Sequence, residues 1–421
     1  MPNMIVALAW AFQLGLQAAP SGDRMYGRVL TADGERLEGY LRWDRNETHW
    51  ADVLDGEKTI PVEYDREAER LDPELRRRRE LERRIDLPGL RITWDEDDGD
   101  PRMVAAGVRF GHLRSIEVLD ERRALLVLLS GEELELRGMN SDLGRTFRGL
   151  VVDDRERGEV ELRWRDLDRV ELMAPPTGAP APSAERLHGT ALTRAGVELT
   201  GYVAWDMDET LSTDVLEGRE GRSDREIELG SVAALRPEGS RATRVTLRSG
   251  EELVLTGTND VNEGNRGLEV SDPALGRVIV PWGALESLVF VPAPAAGTGG
   301  SAGQGSRSAF DGGRALSGTV ETSLGQTLTG RIRWDNDEES SWEFLDGRSD
   351  GVNYDVELSR VRSIERTGAS SARVELLDGR SLHLEDSNDV DERNQGIFVR
   401  VEGRGTVLVP WSELERLTLA P

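Results

Sequence analysis

A hairpin signature that recurs six times constrains this chain more than any bulk property. Written hxxGxxL, with h as Thr or Leu, it begins at Thr31, Leu128, Thr193, Leu247, Thr322 and Leu376. Around its glycine the apolar positions alternate, as in Val320 and Thr322, then Leu328, Ile332 and Trp334. Period two marks half-buried strands, and glycine at the centre supplies the tight turn. Copies are closed downstream by apolar residues spaced by threes: Leu358, Val361 and Ile364, or Trp411, Leu414 and Leu417, matched by Trp282, Leu285 and Leu288 and by Trp164, Leu167 and Val170. That spacing suits one 3₁₀ turn feeding a last strand. The expected fold class is all-β.

The signatures group in pairs. Residues 189–288 match 318–417 without a gap at a spacing of 129, locking Trp205 to Trp334, Asp260 to Asp389 and Trp282 to Trp411. An earlier copy matches at 162 through Gly56 and, after an insertion of 43 residues, at 119. Duplication explains such a register. A half of 45–50 residues is near the lower limit for burying its own core, so two halves are expected to pack as one unit of about 100 residues. The resulting division is a leader at 1–22, a first repeat at 24–173 with an insertion at about 57–107, a Pro/Ala linker at 174–186, a second repeat at 187–291, a Gly/Ser linker at 292–315 and a third repeat at 316–421. The second linker reads as flexible, which would let the repeats move independently. Inside the insertion, Asp72 as cap, Pro73 in the first turn and a stop at Pro88-Gly89 predict one short helix, with Arg76 to Arg79, Arg83 and Arg84 as a basic face.

Composition removes several functions. Net charge is −26, which opposes binding to nucleic acid because phosphate contacts need clustered cations. Cysteine is absent, so disulfides, thiolate metal sites and thiol nucleophiles are excluded. Met4 to Ala19 is uncharged and apolar and ends in small residues, the pattern of a secretory leader cleaved near Ala18 or Ala19. Export to the periplasm or beyond is therefore expected. At roughly 16 residues the segment is short for a bilayer span, and no integral span is expected in the mature chain.

The opening half of each repeat resembles the Sm-like branch of the SH3-like small barrels. An apolar strand, a turn glycine, a second glycine, an alternating strand and an aspartate fall at Val320, Gly325, Gly330, Ile332 and Asp335, and Gly27, Gly34, Gly39, Leu41 and Asp44 fit the same frame. The resemblance implies a strongly bent five-stranded barrel over about 20 residues of each half. The basic loop residues with which that family contacts RNA are not matched, so no RNA site carries over.

Three residue sets are candidates for function. The polar cluster of the second half supplies Asp260, Asn262, Glu263 and Asn265, then Asp389, Asp391, Glu392 and Asn394, hard oxygen donors of the kind that hold Ca²⁺. It lacks the order of an EF-hand, and Asn and Asp bonding the backbone of a turn fit the same pattern. Asp44, Asp206 and Asp335 each follow a Trp and precede Glu47, Glu209 and Glu338 by three residues. Paired carboxylates can serve as acid and base, or simply cap a turn. Of the ten tryptophans, Trp43, Trp205, Trp334, Trp164, Trp282 and Trp411 keep the repeat register and are expected to seal the two halves, whereas Trp50 and Trp342 are candidates for an exposed binding surface. Only four histidines exist, none in equivalent places, and no phosphate-binding glycine motif is present.

The expected function is a non-catalytic, multivalent binding or scaffold protein of the envelope or extracellular space, contacting a protein or an envelope polymer and needing no cofactor. The alternative is a Ca²⁺-dependent carbohydrate-binding or adhesion module. A carboxylate-based glycosidase ranks third.

Overall fold

The computed structural model describes residues 23–73, 84–87, 90–93, 102–139, 141–293 and 306–420. Residues 1–22, where a leader is expected, and most of the Gly/Ser stretch, 294–305, lie outside them. The described chain is mostly β, with two large antiparallel sheets and one α-helix. No described helix is long and apolar enough to cross a membrane.

All six signature glycines sit at positive φ, between 77° and 93°, as their turns demand. The apolar triplets begin in 3₁₀ turns such as Trp282–Ala284 and Trp411–Glu413, each running straight into a strand.

Strand pairing in the second segment departs from the order of hairpins in the sequence. Glu198–Ala204 does not pair with the hairpin that follows it, Val215–Glu220 with Ser223–Glu228. It pairs instead with Leu268–Asp272, the start of the hairpin closed by Gly276–Val280. Reciprocally, Glu252–Thr256 meets Val215–Glu220. The two halves thus exchange their second hairpins, while Leu285–Phe290 pairs with both His188–Thr193 and Val232–Glu238 to bind the halves together. The same pairings connect Ser317–Leu419 and, around the insertion, Tyr26–Met173. A glycine makes the crossing feasible: a Cβ at Gly201 would collide with the Ser271 carbonyl, and one at Gly330 with that of Arg400.

The register-locked indoles meet edge to face where the halves join. Ring centroids of Trp205 and Trp282 are 6.2 Å apart, of Trp334 and Trp411 6.1 Å, and of Trp43 and Trp164 6.4 Å. Such pairs add specific geometry to the large area each ring buries.

The segments do not lie apart, which corrects the expectation of independent motion. Gly276–Val280 of the second pairs edge to edge with Val352–Glu357 of the third. Arg109 of the first, fully buried, pairs with buried Glu357 of the third at 3.3 Å and donates to Asp272 O of the second at 2.9 Å. Arg277 of the second bridges Asp55 at 2.5 Å and Asp355 at 2.6 Å. The described end of the Gly/Ser linker is docked as well: Phe310 lies in the core of the first segment, and Gly312 N–H donates to His112 Nδ1 at 3.1 Å. An apolar ring and buried backbone bonds hold that stretch despite its glycine-rich composition.

The helix expected at 73–87 is corrected in part: Pro73 is helical, as its place in a first turn requires, but 84–87 form a strand, and an unexpected helix precedes Asp72. The helix is Val62–Leu71, preceded by Pro61 and carrying Glu63 and Asp65 in its first turn; Asp72 lies at its C-terminal end. Arg84–Leu87 instead pairs antiparallel with Leu90–Thr93, while 74–83 and 88–89 lie outside the described residues. Asp72 thus lies between the end of one helix and a helical Pro73, and a start signal at Asp-Pro gives no warning of a helix that ends just before it. The helix packs Ala68 and Leu71 against Phe398 and Leu408 of the third segment. Arg333 stacks on Tyr64 and Phe398 and pairs with Glu67 at 2.9 Å, fixing the helix there.

Candidate functional site

Exchange of hairpins creates two crossover loops in each segment, and they are the two polar motifs of the sequence. In the second segment the first crossover is the Trp-Asp turn. Trp205 N–H donates to Glu209 O at 2.9 Å, and Glu209 N–H returns to Trp205 O at 2.9 Å, so Glu209 is folded back beside the indole. Asp206 and Met207 occupy the left-handed region at φ 50° and 61°, which an aspartate tolerates better than most residues. The polar cluster is the second crossover.

Side chains pin one crossover to the other. Trp205 Nε1 donates to Asp260 O at 2.9 Å. The buried Asp206 carboxylate accepts Arg266 N–H at 2.5 Å and Asn259 Nδ2 at 2.6 Å. In the third segment Trp334 Nε1 donates to Asp389 O at 3.1 Å, while Asp335 accepts Asn388 Nδ2 at 2.6 Å and the Gln395 N–H. In the first, Trp43 Nε1 donates to Asp142 O at 2.9 Å, and Asp44 accepts Arg148 N–H at 2.6 Å and its Nε at 2.8 Å. Asp260, Asp389 and Asp142 each accept a backbone N–H of the exchanged hairpin: Glu217 at 2.8 Å, Asp346 at 2.6 Å and Asp55 at 2.7 Å.

The crossings bring three carboxylates together. Oxygens of Asp206, Glu209 and Asp260 all lie within 4.8 Å of one another. Burial first, then Asp260, Asp206 and Asp208, push the Glu209 carboxyl up to about 8. Burial followed by Asp142 and Asp44 holds Glu47 well above the usual carboxylate range, and burial followed by Asp337 and Asp389 does the same for Glu338. Oε2 of each of these three glutamates is buried without a hydrogen-bond partner. Such a group can take a proton or a hard cation. An oxygen shut off from solvent in this way is out of reach of a bulky glycan.

The eight residues proposed from composition as metal ligands do not form one cup. Only Asp260 and Asp389 face acids of the other crossover. Asn262 Oδ1 accepts Gly264 N–H at 2.7 Å, and Asn265 reaches Gly267 N–H and Asp260 O at 2.9 and 3.3 Å. Asn394 repeats this with Gly396 N–H and Asp389 O at 2.8 and 3.0 Å, and Asp391 accepts Arg393 N–H and Nε. Glu263 and Glu392 point to solvent. The oxygens of the asparagines and Asp391 are committed to turn backbone because a crossover without ladder bonds must satisfy its own N–H groups. Composition found the loop; it missed Asp206, Glu209 and their counterparts as the acids facing it, although their Trp-Asp spacing was visible.

Trp50 and Trp342 are 0% and 1% exposed, so neither offers a ring to a ligand. Trp342 of the third segment lies in the core of the first, its Nε1 donating to Glu132 at 3.3 Å, and Arg307 stacks over Trp50 at 4.7 Å. Their departure from the repeat register reflects contact between segments. Comparison with protein-family models, with curated proteins and with solved structures found no match to this chain.

Proposed function

We propose that the protein is a non-catalytic scaffold of the cell envelope or extracellular space, built as three tandem repeats, each a pair of Sm-like barrels with exchanged second hairpins. Support for the architecture comes from the common strand pairing of the three segments. Each barrel then reads as two strands and a closing strand from one half and a hairpin from the other, in the order of an SH3-like barrel. The carrying observation for function is that the chemically promising groups are used internally: the paired acids lie in crossover loops, and the candidate aromatic platform is buried between segments. What remains for a partner is the outer, acidic surface of a firmly joined array. That surface suits a protein or envelope polymer with cationic groups, held by several weak contacts in fixed relation.

The test is capture from an envelope fraction with the intact chain. A partner retained at low salt and released by raised salt is the expected result. Hydrolysis of any member of a glycan panel, lost in Glu209→Gln, would instead establish an enzyme.

A further inference from the structure

We propose that each Trp-Asp turn, with the aspartate facing it across the crossover, binds one hard divalent cation, Ca²⁺ in the first instance. The sites are Asp44, Glu47 and Asp142; Asp206, Glu209 and Asp260; and Asp335, Glu338 and Asp389.

Carboxylate oxygens of the second triad lie within 4.8 Å of one another, a separation that oxygens 2.3–2.6 Å from a common Ca²⁺ also have. Backbone bonds hold the outer oxygens: Asp206 is fixed by Arg266 N–H and Asp260 by Glu217 N–H. Asp206 Oδ2 also accepts Asn259 Nδ2 at 2.6 Å, so an ion would share that oxygen with the amide, whereas Glu209 Oε2 is buried with no partner.

Independently of that clustering, Glu47, Glu209 and Glu338 each bury Oε2 with no partner, and Glu47 as a whole is only 8% exposed. A buried, unpaired carboxylate oxygen is strongly unfavourable, and here it occurs three times at equivalent places beside two further acids. A bound cation satisfies all three carboxylates together, whereas a proton on the glutamate satisfies one contact and leaves the two aspartates opposed. Oxygen-only donors, with neither His nor Cys among them, select a hard ion over zinc or copper. The ion would also have a structural role, clamping the two crossover loops where the halves exchange hairpins, which no ladder bond does.

The cation sites stand apart from the scaffold reading and are tested separately. Full-length protein stripped with a chelator is titrated with Ca²⁺ by calorimetry and equilibrium dialysis, with Mg²⁺ as comparator. Three ions per chain are expected, falling to two in each of Glu47→Gln, Glu209→Gln and Glu338→Gln and to none in the triple variant. Glutamine keeps the volume and can donate as a protonated carboxyl does, and circular dichroism confirms that the variants fold. The wild-type melting temperature should rise by several degrees with Ca²⁺, and that of the triple variant should stay fixed. Absence of saturable binding to the wild type, or equal binding by the triple variant, overturns the proposal. A triple variant more stable than a cation-indifferent wild type also overturns it, assigning a proton to each site.

Discussion

The junction between the second and third segments and the junctions of the first with both are built differently. Residues 189–288 and 318–417 share an unbroken register, and their segments join through backbone, Gly276–Val280 against Val352–Glu357. The first segment, which carries the insertion, joins through side chains: Arg109 to Glu357, Lys58 to Glu343, and the indole of Trp342 in its core. One shared position shows how a common pattern is adapted. Asp52, Asp214 and Glu343 each accept two backbone N–H groups of their own turn, from Thr48 and His49, Thr210 and Leu211, and Glu339 and Ser340. Each also receives a cation from another segment: Arg186, Arg42 and Lys58 respectively. Folding within a segment and docking between segments therefore use the same acid. The incoming cation differs from one segment to the next and decides which neighbour docks.

The largest effect is expected where side chains alone join all three segments. Arg109→Met leaves Glu357 buried beside His112 without its main cation, and it removes the donors to Asp272 and Pro273. Stripping one partner from a buried ion pair costs about 3–5 kcal/mol, read from denaturant unfolding. Adding Glu357→Leu should recover much of the loss, because an apolar pair avoids the stranded charge. No recovery would mean that the bonds to Asp272 and Pro273 carry the junction.

Phe310→Ala comes next. Removing a buried phenyl costs about 3 kcal/mol or more in a well-packed core. Here the loss is expected to be accompanied by protease cleavage in 306–313, seen by mass spectrometry, because the ring anchors that stretch to the first segment. Stability loss without cleavage would show that the Gly312 N–H on His112 and the Arg307 guanidinium on the Leu113 carbonyl suffice to hold it.

Smaller still, and a sharper test of equivalence, is the comparison of Trp205→Phe with Trp334→Phe. Both indoles are fully buried, and both donate Nε1 to the carbonyl of the facing aspartate. Each change leaves that carbonyl with one donor fewer and should cost about 1–2 kcal/mol. The two values are expected to agree within experimental error. Unequal losses would show that the matched register hides different packing.

What the sequence made legible was local. Six turn glycines and the apolar triplets placed the hairpins and 3₁₀ turns because positive φ and a period of three are set by neighbouring residues. The exchange of second hairpins was hidden, since a hairpin such as Val215–Glu228 buries the same apolar face against its own half or the other. Composition marked the polar loop but not which oxygens remain free, because backbone demand is known only once the crossing is drawn. Docking residues were hidden for a further reason: Arg109, Arg277 and Phe310 have no like counterparts in the other segments. A usable signal did exist in such departures from register, for the position of Arg109 corresponds to Glu228 and Glu357, opposite in charge.

Acid should separate the two kinds of junction. His49 of the first segment lies against Tyr202 of the second with ring centroids 3.8 Å apart, and burial lowers its imidazole to about 3. In the unfolded chain the same group titrates near 6.5. Because its folded value is the lower one, the unfolded chain binds more protons below that pH, so this residue's effect is to lower stability as pH falls from about 6.5 toward 3. The slope is about 1.4 kcal/mol per pH unit. His49→Phe fills the same place with a ring that does not titrate; it also gives up the acceptor for Ala51 N–H, a loss that is constant with pH. The stability difference between wild type and variant, measured by urea unfolding at pH 7, 6 and 5, should therefore shift steadily in the variant's favour as pH drops. No histidine lies in the paired strands Gly276–Val280 and Val352–Glu357, so hydrogen exchange of their amides should respond less to acid than that of the contact between the first and second segments. Equal loosening of both would mean that the segments unfold as one cooperative body, with no separable interfaces.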